Sequence, residues 1–439
     1  MKVIRDPVHG DIEVPPEALR VLDTPQMQRL RGVKQLGTAH LVYPGATHTR
    51  FEHALGTMHM AARLLARLEA AAAAAGQPPP LDAAARRAVL LAALVHDVTH
   101  LPYGHTLEDE RRLFPRHDEP ARVREVLRAG ALGEVLAKLG AAAAVEELLA
   151  GRPEVPLGAE LVRATAGADL LDYLARDAYF CGLRRSWDER LLRYYVAAPD
   201  AAGRLRLALA IAKDGVVRED ARSEILGLLW LRYTLCERVY YHHAKLAAGA
   251  MLSRAVELAV ERGLLGVEQL LELRDETLPA YLRECLPPSP ALERLLDGLE
   301  RRALYKRAYA LTPAIGPQAQ AALVARLHAD MAARAQAEAE IAGAARLPPY
   351  HVILYCPPVQ MALKEADIPV VEADGRALRT LAELGLPEVE VLLDKHRRLW
   401  RLYLFVAPEV DRTAARRAAA AAAELLGHPD ELRRGQPAG

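Results

Sequence analysis

Histidine and aspartate residues occur in this sequence at positions that could hold a divalent metal ion. The candidates are His53, the adjacent pair His96 and Asp97, and Asp169. Imidazole and carboxylate together suit an ion that keeps open positions for water, unlike the thiolate sets of closed structural zinc sites. Such a set accepts several metals, so Mg, Mn, Fe, Ni, Co and Zn all stay open as the cofactor. Neighbouring helical residues point about 100° apart, so His96 and Asp97 can share one ion only over the end of their helix.

Residues that follow the His-Asp pair could move protons. His100 and His105 lie on either side of Pro102, a residue that permits the helix to end there. An imidazole titrates near neutral pH, so either histidine can give a proton to a departing oxygen, and Glu108 could orient the imidazole. We therefore predict His105, His100 and Glu108 as catalytic residues. His117 is a further histidine that follows this segment.

A further polar group shares one face of a predicted helix. Asp169, Tyr173 and Asp177 are spaced i, i+4, i+8, which places their side chains on the same face. Asp172 and Arg176 point elsewhere, and we expect them to form an ion pair on the solvent side of this helix. The face with Asp169 would then line a site.

The elements that must position these residues are mostly helices. Apolar residues recur at three- and four-residue spacing from about 25 to 340, with glycine and proline confined mainly to breaks. Thr24 is expected to cap a helix with Pro25 in its first turn and Gly37 as its stop. After about 346 the pattern favours strands. The predicted helices are at about 51–73, 82–97, 159–180 and 221–250. The predicted strands are at about 350–355, 388–394 and 399–406.

Proline-rich segments at 76–81 and 286–290 mark the clearest linkers, because repeated proline excludes helix. We predict a mainly α fold, in which a multi-helical core is followed by a small α+β unit at the C-terminus. The predicted boundaries are residues 1–285 for the catalytic core, 286–345 for a helical extension and 346–439 for the C-terminal domain.

Composition limits the classes of protein to consider. The chain has 439 residues, 51% of them hydrophobic, and can bury a large core. Its 57 basic and 57 acidic residues cancel, which makes nucleic acid an unlikely partner and gives no support to a membrane surface. No apolar run approaches the roughly 18 to 20 residues that span a bilayer, so we expect a cytoplasmic protein. The four cysteines form no Cys-x-x-Cys pair, which argues against a thiolate zinc site.

Longer motifs surround the candidate residues. They are Thr24-Pro25-Gln26-Met27-Gln28-Arg29-Leu30-Arg31, Lys34-Gln35-Leu36-Gly37, Arg50-Phe51-Glu52-His53-Ala54-Leu55-Gly56, and His96-Asp97-Val98-Thr99-His100-Leu101-Pro102-Tyr103-Gly104-His105. Over residues 2–120, and again at 169–182 and 232–245, the chain resembles the HD-domain deoxynucleoside triphosphate triphosphohydrolases, in particular bacterial members without a SAM domain. The resemblance implies a multi-helical HD-domain core and a nucleotide substrate, most simply a deoxynucleoside triphosphate (dNTP).

The same resemblance assigns roles to individual residues. It makes His53, His96, Asp97 and Asp169 the metal ligands. Tyr173 would lie against the sugar, Asp177 would bind the 3′-hydroxyl and Arg232 would contact phosphate. The residues expected to bind substrate are Gln35, Leu36, Arg50, His117, Tyr173, Asp177, Arg232 and Tyr240. By resemblance, water attacks the α-phosphorus and releases deoxynucleoside and intact triphosphate.

A regulatory site is also implied by the resemblance. The positions that match an activating guanine-nucleotide site are Lys2, Val3, Asp23, Gln28, Arg31, Arg302 and Lys306. A carboxylate such as Asp23 can accept two parallel hydrogen bonds from guanine N1 and N2, and the basic residues can neutralise a triphosphate. In the family, Arg302 and Lys306 would come from a neighbouring subunit, so we expect GTP or dGTP to activate a homo-oligomer, a dimer or a tetramer.

Two departures from the family pattern keep other functions open. Leu170 replaces a phosphate-binding lysine, and Tyr241 replaces a glutamine beside the pocket tyrosine. One alternative is another HD phosphohydrolase, such as a nucleotidase or phosphodiesterase, because the metal set is common to all of them. A third hypothesis is a nucleotide-responsive or nucleic-acid-binding regulator with little turnover.

Overall fold

Helices make up most of the chain in the computed structural model, which describes residues 1–151, 156–213, 215–358, 363–372 and 378–432. The helices are α1 (Pro16–Leu22), α2 (Pro25–Arg29), α3 (Arg50–Ala74), α4 (Ala83–Val95), α5 (Pro120–Arg128), α6 (Gly130–Lys138), α7 (Ala142–Ala150), α8 (Pro156–Arg163), α9 (Ala168–Phe180), α10 (Glu219–Leu235), α11 (His243–Val260), α12 (Val267–Glu272), α13 (Thr277–Cys285), α14 (Pro290–Glu300), α15 (Pro317–Leu327), α16 (Met331–Ala345), α17 (Pro387–Arg397) and α18 (Arg412–Leu426). The predicted mainly α class is confirmed. Within the described ranges, none of the helices combines the length and the apolar character needed to cross a bilayer.

The strands form small sheets between the helices. They are β1 (Lys2–Asp6), β2 (Gly10–Val14), β3 (Tyr195–Pro199), β4 (Leu205–Ala210), β5 (Ala212–Lys213), β6 (Val216–Val217), β7 (Lys306–Leu311), β8 (Val352–Tyr355), β9 (Pro369–Val371), β10 (Leu378–Thr380) and β11 (Leu402–Val406). Strands β1 and β2 form an antiparallel hairpin, in which Ile4 pairs with Ile12. The order β7-β11-β8 is antiparallel throughout, whereas β10-β9-β4-β3 has one parallel pair, β4 with β9.

Helix α3 packs against α4 and α9, and this trio forms the centre of the N-terminal half. It begins at Arg50 because the carboxylate of Glu52 accepts hydrogen bonds from both the backbone N–H and the hydroxyl of Thr49, as in a capping box. Helix α4 begins after Asp82, whose side chain accepts the backbone N–H of Ala85. Leucine, alanine and methionine side chains on the facing surfaces join one hydrophobic core.

Several predicted elements differ from those observed. The helix expected to run from Thr24 to Gly37 ends at Arg29, and the hydroxyl of Thr24 donates to the carbonyl of Val21 instead of capping it. The predicted helices at 159–180 and 221–250 are each divided in two, the first at the α8–α9 turn and the second at a π turn between α10 and α11.

The segment 388–394 was predicted as a strand, which is wrong, because it lies in helix α17. Pro387 occupies the first helical position, and acidic residues in the first turn with basic residues in the last suit the helix dipole. The strands predicted at 350–355 and 399–406 are confirmed as β8 and β11. Both proline-rich linkers fall between helices, as expected.

The C-terminal part of the chain is joined to the core by shared sheets. Strand β9 pairs with β4, and β7, from the segment predicted as a helical extension, pairs with β11. The segment 286–345 is therefore not purely helical. The boundaries at 285 and 345 stay a prediction.

A buried network of charges fastens the segment after the His-Asp pair to the C-terminal half. The Arg111 guanidinium donates to Glu257 on α11 and to Glu338 on α16, at 2.7 Å in each case. Glu338 also accepts the backbone N–H of Leu354 at 2.8 Å. Burial raises the pKa of Glu257, but Arg111 and Arg254 more than offset this and lower it to about 2. Its contribution to stability is therefore present above the ordinary pKa of 4.5 and is lost as the pH falls from there towards 2.

We predict that Glu338→Ala lowers the free energy of unfolding by about 3 to 5 kcal/mol, because it leaves the buried Arg111 without one of its carboxylates. Urea unfolding followed by circular dichroism measures the change. Glu340→Ala is the matched control, since Glu340 is exposed on the same helix and its loss should cost no more than about 0.5 kcal/mol. Equal unfolding midpoints for the two variants would contradict the prediction.

Candidate metal centre and nucleotide pocket

The four predicted metal ligands come from three helix ends that meet. His53 lies in the first turns of α3, Asp169 is the second residue of α9, and His96 is the C-terminal cap of α4. Helix α4 ends at Val95, so His96 and Asp97 leave its last turn together. The helix therefore ends where the predicted arrangement requires it to end, and the sharing of one ion by the two side chains stays a prediction.

The distances between these side chains fit a common ion. The Nε2 atom of His53 lies 3.0 Å from Asp169 Oδ1 and 3.2 Å from His96 Nε2. Asp97 lies 3.4 Å from His96 Nε2 through Oδ1 and 3.7 Å from His53 Nε2 through Oδ2. Ligand atoms about 2.1 Å from one ion, at octahedral or tetrahedral angles, lie about 3.0 to 3.4 Å apart. The separations of His53 from Asp97 and of His96 from Asp169, both 3.7 Å, exceed this range. The donor types suit a divalent metal, and ligand atoms of His53, His96 and Asp169 all lie within 4.8 Å of one another.

The hydrogen bonds of the two histidines support this interpretation. Nδ1 of His53 donates to Asp172 at 2.7 Å, and Nδ1 of His96 donates to the carbonyl of Ala93 at 2.8 Å. Since Nδ1 of each ring is engaged as a donor, Nε2 is the atom through which each histidine can bind a cation, in place of the proton that it can otherwise carry. Burial lowers the pKa of His53, but Asp169 and Asp172 more than offset it and raise it to about 10, so the site strongly attracts positive charge.

Arg50 lies behind the centre and holds Asp97. Its guanidinium donates to Asp97 Oδ2 at 2.5 Å, and its side chain is 2% exposed. Burial raises the pKa of Asp97, but His96 and Arg50 more than offset it and keep the pKa well below its usual range. Nε of Arg50 has no hydrogen-bond partner among the described residues. The predicted contact of Arg50 with phosphate stays a prediction, and its pairing with Asp97 is an additional role.

The three predicted catalytic residues and His117 form a second cluster beside the metal centre. His105 is exposed, and its Nδ1 lies 3.4 Å from Glu108 Oε2, which also accepts from His117 Nδ1 at 3.1 Å. Burial raises the pKa of Glu108, but hydrogen bonds from His105 and His117 more than offset it and keep it ionised. Burial and the nearby Arg50 lower the pKa of His100 well below its usual value. This buried imidazole is therefore neutral.

This cluster has the composition of a metal site, but its geometry favours proton transfer. The rings of His100 and His117 stack with their centroids 3.6 Å apart and their planes 19° from parallel. An imidazole lone pair lies in the plane of its ring, and no ion can lie in both planes at bonding distance. The stacked pair can instead pass or hold protons beside Glu108.

Asp172 and Arg176 were expected on the solvent side of their helix, which is wrong. Both are fully buried, and Arg176 donates to both oxygens of Asp172 at 2.9 Å. The face that carries them packs against α3 at Gly56, a contact that the spacing of residues within α9 does not show.

The predicted pocket residues of α9 and the segment 232–240 do meet. Asp177 accepts hydrogen bonds from His48 at 2.8 Å and from the hydroxyl of Tyr240 at 2.5 Å. The Arg232 guanidinium lies over the rings of Tyr173 and Tyr240, 5.4 and 5.2 Å from their centroids. Tyr173 is also close to the metal centre, with its ring 6.4 Å from that of His53. His48, which the sequence analysis missed, belongs to this group through Asp177.

The remaining predicted substrate contacts lie in the segment just before His48. Gln35 donates its backbone N–H to the carbonyl of His48, and its side-chain oxygen is buried with no hydrogen-bond partner among the described residues. Leu36 is half-buried against the main core. Of the two departures from the family pattern, Leu170 is 4% exposed in that core, and Tyr241 packs against the apolar residues of β7, β8 and β11.

The predicted regulatory residues lie in two places. Gln28 and Arg31 are hydrogen-bonded to each other, and Arg31 stacks on Phe51 at 3.6 Å. Asp23 ends α1 and is exposed, and Lys2 and Val3 lie on β1. The second location contains Arg302 and Lys306. Arg302 donates to the carbonyl of Leu41 at 2.5 Å, and Lys306, four residues later, begins β7. Whether these residues bind a nucleotide stays a prediction.

Comparison with protein families identifies two matching regions. The HD domain model matches residues 50–177, and the model of the HD associated region matches residues 208–431. The first range contains all four candidate metal ligands, and the second contains Arg232 and Tyr240.

Individual proteins are similar over much of the chain. An uncharacterized protein of Methanocaldococcus jannaschii, MJ1154, is 30% identical over 70% of this chain, and the deoxynucleoside triphosphate triphosphohydrolase SAMHD1 of Bos taurus is 32% identical over 70%. The chain spans 59% and 58% of the lengths of these two relatives. The crystal structure of a phosphohydrolase (BT4208) from Bacteroides thetaiotaomicron has the same fold, with a TM-score of 0.69, 22% identity and coverage of 93% of this chain and 100% of the other.

We predict that His96→Ala loses stoichiometric binding of Mn²⁺, since removal of one ligand leaves the cation with fewer donors than its geometry needs. His105→Ala is the matched control, because its imidazole belongs to the second cluster and the metal should be retained. Metal content after dialysis, measured by mass spectrometry, tests both variants. Loss of metal from His105→Ala and its retention in His96→Ala would show that the two clusters were assigned the wrong way round.

Proposed function

Because the chain belongs to the family that joins an HD domain to an HD-associated region, we propose that it hydrolyses dNTPs to deoxynucleoside and triphosphate. One observation supports the proposal. His53, His96, Asp97 and Asp169 lie close together, beside a pocket that contains Arg232, Tyr173 and Tyr240. A divalent ion held by His53, His96, Asp97 and Asp169 would act as a Lewis acid towards phosphate and acidify a water molecule. The proposed specificity for dNTPs is supported by the SAMHD1 relatives, which are deoxynucleoside triphosphate triphosphohydrolases.

The second cluster supplies the proton that the reaction needs. Water forms a bond to the α-phosphorus, the bond between phosphorus and the 5′-oxygen breaks, and that oxygen must take up a proton. Glu108 accepts from Nδ1 of His105, so Nε2 is the atom left to give a proton to the departing oxygen. The neutral, buried His100 and the adjacent His117 lie behind His105, with ring centroids 4.8 and 5.0 Å from its own.

The pocket residues bind the two ends of the nucleotide. Arg232, Arg50 and His117 carry or can carry positive charge and would contact the phosphates. Asp177 would accept the 3′-hydroxyl in place of one of its present donors, and the Tyr173 ring would exclude a 2′-hydroxyl. Gln35 and Leu36 would complete the wall, where the unpartnered amide oxygen of Gln35 is available to a ligand.

One observation favours a second candidate, another HD phosphohydrolase that acts on a nucleotide with fewer phosphates. Leu170 replaces the family's phosphate-binding lysine, and its side chain is buried in the core. This position therefore contributes no positive charge to a triphosphate, which carries more charge than a monophosphate or a cyclic diester. A nucleotidase or phosphodiesterase would need less compensation.

We expect incubation with each dNTP and Mn²⁺ to yield deoxynucleoside and intact triphosphate, separated by ion-exchange chromatography. His105→Ala should lower kcat by roughly 100- to 10,000-fold, because the departing oxygen loses its proton donor. Glu340→Ala, far from these residues in sequence and exposed, is the control. Release of inorganic phosphate from nucleoside monophosphates, with no triphosphate from dNTPs, would favour the second candidate and contradict the first.

We further propose that a guanine nucleotide activates a homo-oligomer. Asp23 is exposed and ready to pair with guanine, Gln28 and Arg31 are adjacent to it in the fold of α1 and α2, and Lys2 and Val3 lie on the neighbouring hairpin. Arg302 and Lys306 would contact the nucleotide bound to a neighbouring subunit. A ligand that bridges subunits favours assembly by mass action.

GTP is predicted to raise both the sedimentation coefficient and the rate of dNTP hydrolysis of the parent protein. Asp23→Ala should abolish both responses, because alanine cannot accept the two hydrogen bonds of guanine. Asp11→Asn is the control, since Asp11 is an exposed carboxylate whose partner is Arg5 on the same hairpin. Identical behaviour of the parent and Asp23→Ala, with and without GTP, would contradict the proposed regulation and leave the catalytic proposal intact.

A further inference from the structure

The metal ligand His53 is oriented by a carboxylate that is not itself a ligand. Asp172 Oδ2 accepts the Nδ1–H of His53 at 2.7 Å, and Nε2 of the same ring lies 3.0 Å from Asp169 Oδ1 and 3.2 Å from His96 Nε2. A carboxylate in this position fixes both the tautomer and the rotation of a ligating imidazole. The placement of Asp172 therefore determines the placement of a ligand atom.

Asp172 is the hub of a fully buried network. Its Oδ1 accepts from Nε2 of His9 at 2.6 Å, and Arg176 donates one N–H to each of its oxygens at 2.9 Å. Arg176, His53 and His9 thus place nitrogen atoms against both oxygens of the Asp172 carboxylate, and the Arg176 guanidinium supplies a positive charge to it. A buried charge of this kind is stable only while its donors are in place.

The network ends in the N-terminal hairpin. Arg176 also donates a hydrogen bond from Nη1 to Asp6 Oδ2 at 2.8 Å. The other oxygen of Asp6 accepts the backbone N–H groups of Val8 and His9, at 2.9 and 2.8 Å, and so shapes the turn between β1 and β2. The turn between β1 and β2 therefore contributes two side chains to this network. His9 contacts Asp172, and Asp6 contacts Arg176.

Helix α3 leaves room for this pair at one position. Gly56 lies three residues after His53, and a Cβ atom there would lie 1.8 Å from Asp172 Oδ1 and 2.4 Å from Arg176 Nη2. Any side chain would push the pair away from the ligand that it holds. The missing side chain of Gly56 allows the carboxylate to reach α3.

We propose that the turn of the N-terminal hairpin is part of the metal centre, in which Asp6 and His9 act as positioning residues that hold His53 in its metal-binding orientation through Arg176 and Asp172. The assignment rests on the proposed metal site, and it adds residues that touch neither the ion nor the substrate. Loss of such supporting contacts typically weakens metal binding by about 10- to 100-fold.

The test is the affinity of the purified full chain for Mn²⁺, measured without nucleotide by competition with a chelating indicator. His9→Ala should weaken binding by about 10-fold, and His9→Gln should recover most of it, because the amide can again donate to Asp172. Asp6→Asn is a second variant that keeps the oxygen that shapes the turn and removes the acceptor of Arg176. It should weaken binding in the same direction.

Asp11→Asn is the matched control, since it removes an exposed ion pair from the same hairpin and should leave Mn²⁺ affinity unchanged. Circular dichroism of the metal-free variants separates unfolding from loss of affinity. Unchanged affinity in both His9→Ala and Asp6→Asn, or equal loss in Asp11→Asn, overturns the positioning role alone. A parent protein that binds no divalent metal overturns the metal site and this assignment with it.

Discussion

The arrangement of the site depends on how its buried carboxylates are compensated. A carboxylate taken out of water without a partner costs several kcal/mol or takes up a proton. Asp97 is therefore matched by Arg50 and Asp172 by Arg176, in contacts from 2.5 to 2.9 Å. Asp169 faces His53 and His96, and a cation bound between these residues would supply the positive charge that this part of the site requires.

The ends of helices α4 and α9 position charged and polar side chains of this site. Asp169 lies in the first turn of α9, where the exposed backbone N–H groups favour a negative charge. His96 and Asp97 directly follow Val95, the last residue of α4, so both side chains lie at the C-terminal end of this helix. Gly56 lets α3 approach α9 closely enough for His53 to reach its supporting carboxylate. The ends of α4 and α9, together with Gly56 in α3, thus determine the distances between the predicted metal ligands.

Local chemistry could be predicted from the sequence, whereas long-range pairing could not. The positions of His53, His96 and Asp169 follow from donor types and from motifs that lie within single turns of helix. Asp172 was misplaced because helical spacing shows which residues share a face and not which face is buried. Its partner His9 lies 163 residues away, and no periodicity connects two such positions. The helix at 387–397 was likewise misread because a short apolar run fits either period.

The hairpin of β1 and β2 carries residues assigned both to the proposed regulatory site and to the support of the proposed metal site. Strand β1 begins with Lys2 and Val3, assigned to a regulatory nucleotide, and ends at Asp6, which holds Arg176. A nucleotide can change the metal centre only if it binds two states of the hairpin with different affinity, because equal affinity shifts no equilibrium. The buried network would favour one of two such states, because Arg176 contacts both Asp6 and Asp172 in the present position of the turn. Regulation at this end of the chain would therefore act on the orientation of His53, a metal ligand, without any contact between the regulatory nucleotide and the substrate.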